Sequence, residues 1–235
     1  MAAAASRNDA GDSSNGDAVA VDASGELIRV APEQVQAGML ERLTYTDRDI
    51  ILSGIIGTLV IAGVIAWGAR WWQVGIFTVG RLAVAYGSHV LSRRVERIGP
   101  AVAAEQGYTM VMDLWLATIA LSWASVVFFA KSPVLHHTTS VLGMFAVIAV
   151  EGVVVLVASV SRRSILLVLF VFWACLSLRV VLDNTSARWP FLICNTLYHL
   201  VLGMHAFNIQ RQTTHQVRSE IMNRILLERV TQLHS

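Results

Sequence analysis

The sequence predicts an all-α membrane protein: a six-transmembrane-helix bundle with a disordered N-terminus, a short interfacial helix before it and a C-terminal cytoplasmic signalling helix after it. Three observations lead to this fold class. Six long apolar runs divide the chain, and the connectors between them alternate in their number of basic residues. Hydrophobic residues make up 55% of the chain and charged residues only 14%, whereas a soluble domain of this size carries more charge.

Residues 1–31 are expected to be a disordered tail. Residues 1–25 consist mainly of Ala, Ser, Asp, Gly and Asn and contain almost no large apolar side chain. Such a segment cannot bury enough apolar surface to offset the entropy that ordering would cost. It also lacks the apolar stretch after a basic start that is typical of a signal peptide.

Residues 32–48 have the pattern of an amphipathic helix. Pro32 suits a first helical position, and four apolar side chains share one face: Val35, Met39, Leu40 and Leu43. This pattern predicts an interfacial helix that lies on the membrane before the first span. The alternative is a mobile linker.

Residues 49–209 contain the six predicted spans. Each run has about 18 to 22 residues, and a helix of that length crosses the roughly 30 Å hydrocarbon core. Inside lipid the backbone must form its hydrogen bonds within its own segment, which leaves the helix as the only structure for such runs. The runs are residues 49–69, 74–91, 110–130, 138–159, 165–182 and 191–209.

The basic residues predict how the spans are oriented. Counted over alternate connectors and the two ends, one side carries eleven Lys or Arg residues and the other side three. Because basic residues are retained on the cytoplasmic side, the side with eleven is expected to be cytoplasmic. Both termini then lie inside the cell.

Ionisable side chains inside the spans are costly and mark candidate functional sites. Arg81 in span two and Glu151 in span four lie at similar depths, so we expect them to form an ion pair, either functional or purely structural. Span six adds a polar stripe, because Asn195 and His199 are one turn apart and Tyr198 lies beside them. These five residues form the candidate intramembrane signal site.

Two further charges lie closer to the ends of their spans. Asp113 is expected to reach water at the inner surface, and Arg179 to reach the outer headgroups. No metal site and no cofactor are predicted, because His199 and His205 diverge around the helix axis. A proton-sensing role for His199 remains open.

No motif of a known enzyme class is present. The sequence has no Gly-rich phosphate-binding loop with Lys-Ser/Thr, no His-Glu-x-x-His and no Cys-x-x-Cys. The net charge of +2 gives no basic patch for nucleic acid. These residues are therefore expected to be neither an enzyme nor a nucleic-acid-binding protein, although a separate catalytic domain could be attached to them.

Residues 210–235 are predicted to continue the last span as a helix, because residues 208–235 contain no Gly and no Pro. Four positions fit the a and d positions of a short coiled coil: Asn223, Leu226, Val230 and Leu233. This pattern predicts a homodimer or larger homo-oligomer. The alternative is a solvated helix along the inner membrane surface.

The layout resembles the amino-terminal membrane sensor regions of bacterial diguanylate cyclases, histidine kinases and related membrane nucleotide cyclases. The matching pieces are Trp71 and Trp72 opening span two, Arg81 within it, Ser92-Arg93-Arg94 closing it, and the exit helix over residues 211–233. The GGDEF signature, the kinase phospho-acceptor box and the cyclase domain are absent. The resemblance therefore implies sensing or anchoring in a bacterial inner membrane and does not imply catalysis by this chain.

The main functional hypothesis is a sensory or regulatory module that perceives a small or membrane-embedded signal. The exit helix would pass this signal to a cytoplasmic effector such as a nucleotide cyclase or kinase domain. One alternative is a structural or anchoring subunit of a membrane complex. Another is a small transporter that uses Arg81, Glu151 and His199 along its path.

Overall fold

A computed structural model describes residues 19–21, 27–66, 69–129, 136–159, 161–183 and 188–233. These ranges are helical almost throughout, so the prediction of an all-α protein is confirmed. Their eight helices are α1 (Pro32–Ala66), α2 (Trp71–Ile98), α3 (Pro100–Glu105), α4 (Tyr108–Ala124), α5 (Val126–Phe129), α6 (His136–Ala158), α7 (Arg162–Asp183) and α8 (Arg188–Leu233). A short antiparallel ribbon, β1 (Val19–Val21) with β2 (Leu27–Arg29), precedes them.

The apolar character of the helices is typical of a membrane protein. Within the described ranges, four segments are long and apolar enough to cross a membrane: Trp71–Ile98, Tyr108–Phe128, Arg162–Leu182 and Arg188–Gln232. Two further apolar segments, Ile51–Ala66 and Ala146–Ala158, are shorter. Large apolar side chains such as Val79, Phe170 and Met204 are exposed on the outside of the helices, where a water-soluble protein would carry polar ones.

The N-terminal tail is described only in part. Residues 1–18 and 22–26, which belong to the predicted disordered segment, lie outside the described residues. Residues 19–21 and 27–29 are not disordered, because they pair as β1 and β2 with Val19 opposite Arg29. The following Val30 is buried against α1 and α8. The predicted disorder is therefore wrong for this part of the tail.

The predicted interfacial helix and the first span are one continuous helix of 35 residues, α1. Residues 44–50 contain neither Gly nor Pro, so no residue ends the helix where the polarity changes. The apolar face of the first half contacts other helices rather than a bilayer surface: Val35 and Met39 pack on α8, and Leu40 and Leu43 pack on α2, α3 and α4.

The last helix, α8, runs for 46 residues without interruption, about 69 Å at 1.5 Å per residue. Its later part lies antiparallel to the first half of α1, with Val217 and Met222 packed on Val35 and Met39. Nη2 of Arg42 lies 2.6 Å from Oε1 of Glu220. We call residues 32–43 together with residues 216–226 the two-helix extension.

The helix ends that the charge count assigns to the cytoplasm lie together at one end of the bundle. Leu40 of α1, Val95 of α2, Ala103 of α3 and Met112 of α4 belong to one buried cluster there. A cavity of about 410 Å³ at the same end is lined by Arg162 at the start of α7 and by residues of α1, α4 and α8. The opposite part of the bundle is filled by a larger apolar core around Phe172, Leu176 and Val155.

The two-helix extension depends on a glycine, because a Cβ atom at Gly38 would lie 2.8 Å from Cγ1 of the buried Val217. We expect Gly38→Leu to lower the free energy of unfolding by about 1–3 kcal/mol through overpacking. The change is measured as a loss of thermal stability in detergent and as faster proteolysis after residue 210. Gly63→Leu in the same helix is the control, because nothing lies within 4 Å of that site. An equal loss of thermal stability in Gly38→Leu and Gly63→Leu would contradict the close packing of Gly38 against Val217.

Candidate functional site: a buried polar centre

The most deeply buried polar contact described joins Glu151 of α6 to His199 of α8. Nε2 of His199 lies 2.8 Å from Oε1 of Glu151, and the side chains are 7% and 0% exposed, respectively. The distance is that of an ion pair, but the alignment is not that of a hydrogen bond, and neither oxygen of Glu151 has an aligned donor among the described residues. The imidazole ring of His199 is therefore the main polar contact of the buried Glu151 carboxyl group.

The ring orientation of His199 is fixed by its own helix. Nδ1 lies 2.8 Å from the backbone oxygen of Asn195, one turn earlier in α8. A carbonyl oxygen only accepts hydrogen bonds, so Nδ1 carries a proton and donates it. Nε2 then faces the carboxyl group of Glu151.

The polar centre extends from α8 to α7 through Asn195. Its Nδ2 atom donates to Oγ of Ser177 at 3.0 Å and to the backbone oxygen of Trp173 at 3.4 Å. On the neighbouring face, Nε1 of Trp173 donates to Oγ1 of Thr196 at 3.1 Å. Tyr198 meets His199 edge-on, with 5.3 Å between ring centroids. Four of the five predicted site residues, all but Arg81, thus form one group.

Arg81 of α2 lies in a different site. Its Nη1 donates to Oγ of Ser122 at 2.5 Å, and its guanidinium carbon lies 3.8 Å from the centre of the Trp123 ring. The side chain is 4% exposed. The predicted pair with Glu151 is wrong, because Glu151 contacts His199 and Arg81 contacts two residues of α4. Arg81 and Glu151 lie at similar positions along their helices. The rotation of α6 about its own axis, however, turns Glu151 towards α8.

The two peripheral charges, Asp113 and Arg179, are both buried in the bundle. Asp113 of α4 accepts a hydrogen bond from Oγ of Ser164 in the first turn of α7, where the positive end of the helix dipole favours an anion. Asp113 also lines the cavity of about 410 Å³, and its expected contact with water at the inner surface stays a prediction. The burial of Arg179 disagrees with the expectation that its side chain reaches the outer headgroups.

The predicted coiled-coil positions are divided between two environments. Leu226 is partly buried and belongs to the cluster between α1 and α8. Asn223 and Val230 are exposed, while the side chain of Leu233 lies outside the described residues. The face of α8 that α1 covers is centred on Val217, Ile221 and Ile225, and sequence reasoning did not identify it.

The polar partners of the candidate residues are serines, a threonine and tryptophans inside apolar runs: Ser122, Trp123, Ser164, Trp173, Ser177 and Thr196. Their spacing follows no motif, so only the spatial arrangement reveals their roles. Of the residues that the structure describes, no three of the types His, Cys, Asp and Glu are grouped as metal ligands would be. Cys194 and His205 are exposed.

Comparison with known proteins assigns no family to the chain. No family model, no curated protein and no solved structure matches it. Function is therefore inferred from the geometry of the polar centre and the course of α8.

We expect the contact between Glu151 and His199 to appear as an energetic coupling. Glu151→Leu and His199→Leu should each lower the free energy of unfolding by about 1–3 kcal/mol, because each leaves a buried polar group without its partner. The loss of unfolding free energy in the double variant should be smaller than the sum of the two single losses, by about 0.5–3 kcal/mol. Unfolding in mixed micelles with increasing denaturing detergent measures all three variants.

The pair Arg81→Leu and Glu151→Leu is the control for this cycle. These two residues share no partner in the structure, so their effects should add to within about 0.5 kcal/mol. Coupling between Arg81 and Glu151, together with additivity between Glu151 and His199, would contradict the arrangement.

Proposed function

We propose that the chain is a regulatory membrane module whose last helix passes the state of its polar centre to an effector at the cytoplasmic end. It would act without catalysis of its own, in the inner membrane of a bacterium, as the resemblance to sensor regions implies. The effector is a protein or domain such as a nucleotide cyclase or kinase. The observation that carries the proposal is the uninterrupted course of α8 from His199 to Leu233.

A continuous helix is a suitable connection because it is stiff along its axis. From His199 to Leu233, α8 covers about 51 Å at 1.5 Å per residue. Gly203 is the one Gly or Pro between His199 and Leu233, and there the helix continues unbroken and packs on Leu169 of α7. A rotation or shift at His199 therefore meets no break in the helix before Leu233. The Arg42–Glu220 ion pair and the apolar contacts of the two-helix extension hold the far end of this helix in one position.

Six crossings are part of the proposal. The four long apolar segments, together with the shorter segments of α1 and α6, supply six apolar helical pieces in alternating directions. The clustering of the expected inner ends at one end of the bundle is the arrangement that six crossings with both termini inside would produce. Labelling of single cysteines at positions 93 and 162 from one side of the membrane tests this topology.

The transporter alternative has less support. It needs Arg81, Glu151 and His199 along one path, and the structure places Arg81 against α4 while the other two join α6 to α8. A structural subunit would leave the buried pair without a role beyond packing. The regulatory proposal uses both the pair and the length of α8.

A perturbation of the polar centre should change the two-helix extension. With spin labels at the exposed positions Gln36 and Asn223, Glu151→Leu should add a second distance population, because α8 loses its contact with α6. Pulsed electron paramagnetic resonance in nanodiscs measures the distances. Leu156→Val, at an exposed position of α6, is the control and should leave them unchanged. Identical distributions in all three proteins would count against transmission through α8.

Dimerisation through the tail is a separate expectation. Leu227 is 68% exposed and Val230 52% exposed, on the side of α8 opposite to the face that α1 covers. In a background with Cys175 and Cys194 replaced by Ser, Leu227→Cys should form disulfide-linked dimers in membranes. Glu228→Cys, at an exposed position about 100° away around the helix axis, should form few. Equal crosslinking at the two positions, or none at either, would contradict pairing through this face.

A further inference from the structure

We propose that the cavity beside Arg81 binds an amphiphile with an anionic head and an apolar chain, with the head on the guanidinium group. The cavity has a volume of about 360 Å³ and lies between α1, α2, α4 and α6, in the size range of small-molecule sites. As the signal input of the proposed module this site rests on the proposed function. As a binding site it is independent of any output.

The charge of Arg81 favours an anionic ligand. A guanidinium group keeps its charge at physiological pH, and the partners that the structure gives it, Ser122 and the ring of Trp123, are both neutral. Its Nε atom is buried without a hydrogen-bond partner. No carboxylate among the described residues pairs with it, since Glu151 contacts His199 and Asp113 contacts Ser164.

This arrangement leaves part of the cost of the buried charge uncompensated. Burying an ion without a counter-ion is costly even after relaxation, and the stacking on Trp123 offsets only part of that cost. A bound anion would supply the missing partner. A bound cation would be repelled.

The shape and polarity of the cavity favour a ligand with an apolar chain. Two glycines of α1 create the space: a Cβ atom at Gly54 would lie 3.8 Å from Nη2 of Arg81, and one at Gly57 would lie 3.4 Å from Cη2 of Trp123. The remaining wall is mainly aliphatic and aromatic, for example Val84, Ile119 and Val154. Besides Arg81 its polar members include three serines, Ser53, Ser88 and Ser92, too few donors to replace the water shell of a small anion. The occupant must therefore also carry apolar surface.

A carboxylate or a phosphate on an acyl chain meets both requirements. Guanidinium groups bind either head through two parallel hydrogen bonds, and an acyl chain fills an apolar space without leaving polar groups unpaired. The head could come from a free fatty acid or from an anionic phospholipid of the surrounding bilayer. The chemistry of recognition is the same for both sources, and the experiment separates them.

The test uses the full chain in nanodiscs of a zwitterionic phospholipid and a fluorescent fatty acid as the probe. The wild-type protein should bind the probe saturably, and its methyl ester, which lacks the charge, should bind about 30-fold more weakly, the factor expected for losing one partner of a buried charge pair. Unlabelled palmitate and phosphatidylglycerol are then compared as competitors. Displacement by palmitate alone identifies a free acid, and displacement by phosphatidylglycerol identifies a phospholipid head.

Two variants and a control assign the binding to this cavity. Arg81→Leu should abolish the preference for the acid over the ester, and Gly57→Leu should weaken both by filling the cavity. Gly63→Leu in the same helix, with open space around it, should bind like the wild type. Circular dichroism verifies that each variant is folded.

Three results would overturn the site: equal binding of acid and ester by the wild type, displacement by neither anionic competitor, or unchanged binding by Gly57→Leu. Any of them can occur while the label distances of the two-helix extension still respond to Glu151→Leu. A failed binding site is therefore distinguishable from a failed mechanism of transmission.

Discussion

The contact between Glu151 and His199 constrains the rest of the bundle, because neither group tolerates an apolar surrounding alone. It fixes the rotation of α6 relative to α8, and Asn195, one turn away, fixes α8 relative to α7. Three helices thus have their orientations determined by one small polar network. Apolar packing around Phe172 and Leu176 would permit several rotations with similar energy, and the network selects one of them.

The same principle operates towards the end of the bundle at which the two-helix extension lies. Asp113 and Ser164 join α4 to α7, and Arg42 and Glu220 join α1 to α8. The polar contacts become more exposed along this direction, from a fully buried pair to a pair at the surface. Their contribution to stability should decrease in that order, since surface ion pairs contribute about 1 kcal/mol or less. The two-helix extension is accordingly the part of the molecule that a modest force can rearrange.

Much of the architecture could be predicted from the sequence because helix length and depth follow from the apolar runs. The continuation of α8 beyond the bundle followed from the absence of Gly and Pro. Rotation about each helix axis could not be predicted, since it depends on neighbours that the sequence does not identify. This is why Glu151 meets His199 rather than Arg81. It is also why the face of residues 35–43 that suggested a membrane surface packs on protein instead.

Helix α6 separates the two sites: Glu151 faces α8, while Ala149, Val150 and Val153 lie in the wall beside Arg81. One helix thus contributes adjacent residues, Val150 and Glu151, to the two sites. A ligand that favours one position of α6 alters the strength of the contact between Glu151 and His199. By thermodynamic reciprocity, the contact between Glu151 and His199 changes the affinity of the cavity beside Arg81 for its ligand by the same factor. Coupling between the polar centre and the cavity therefore requires the movement of no helix other than α6.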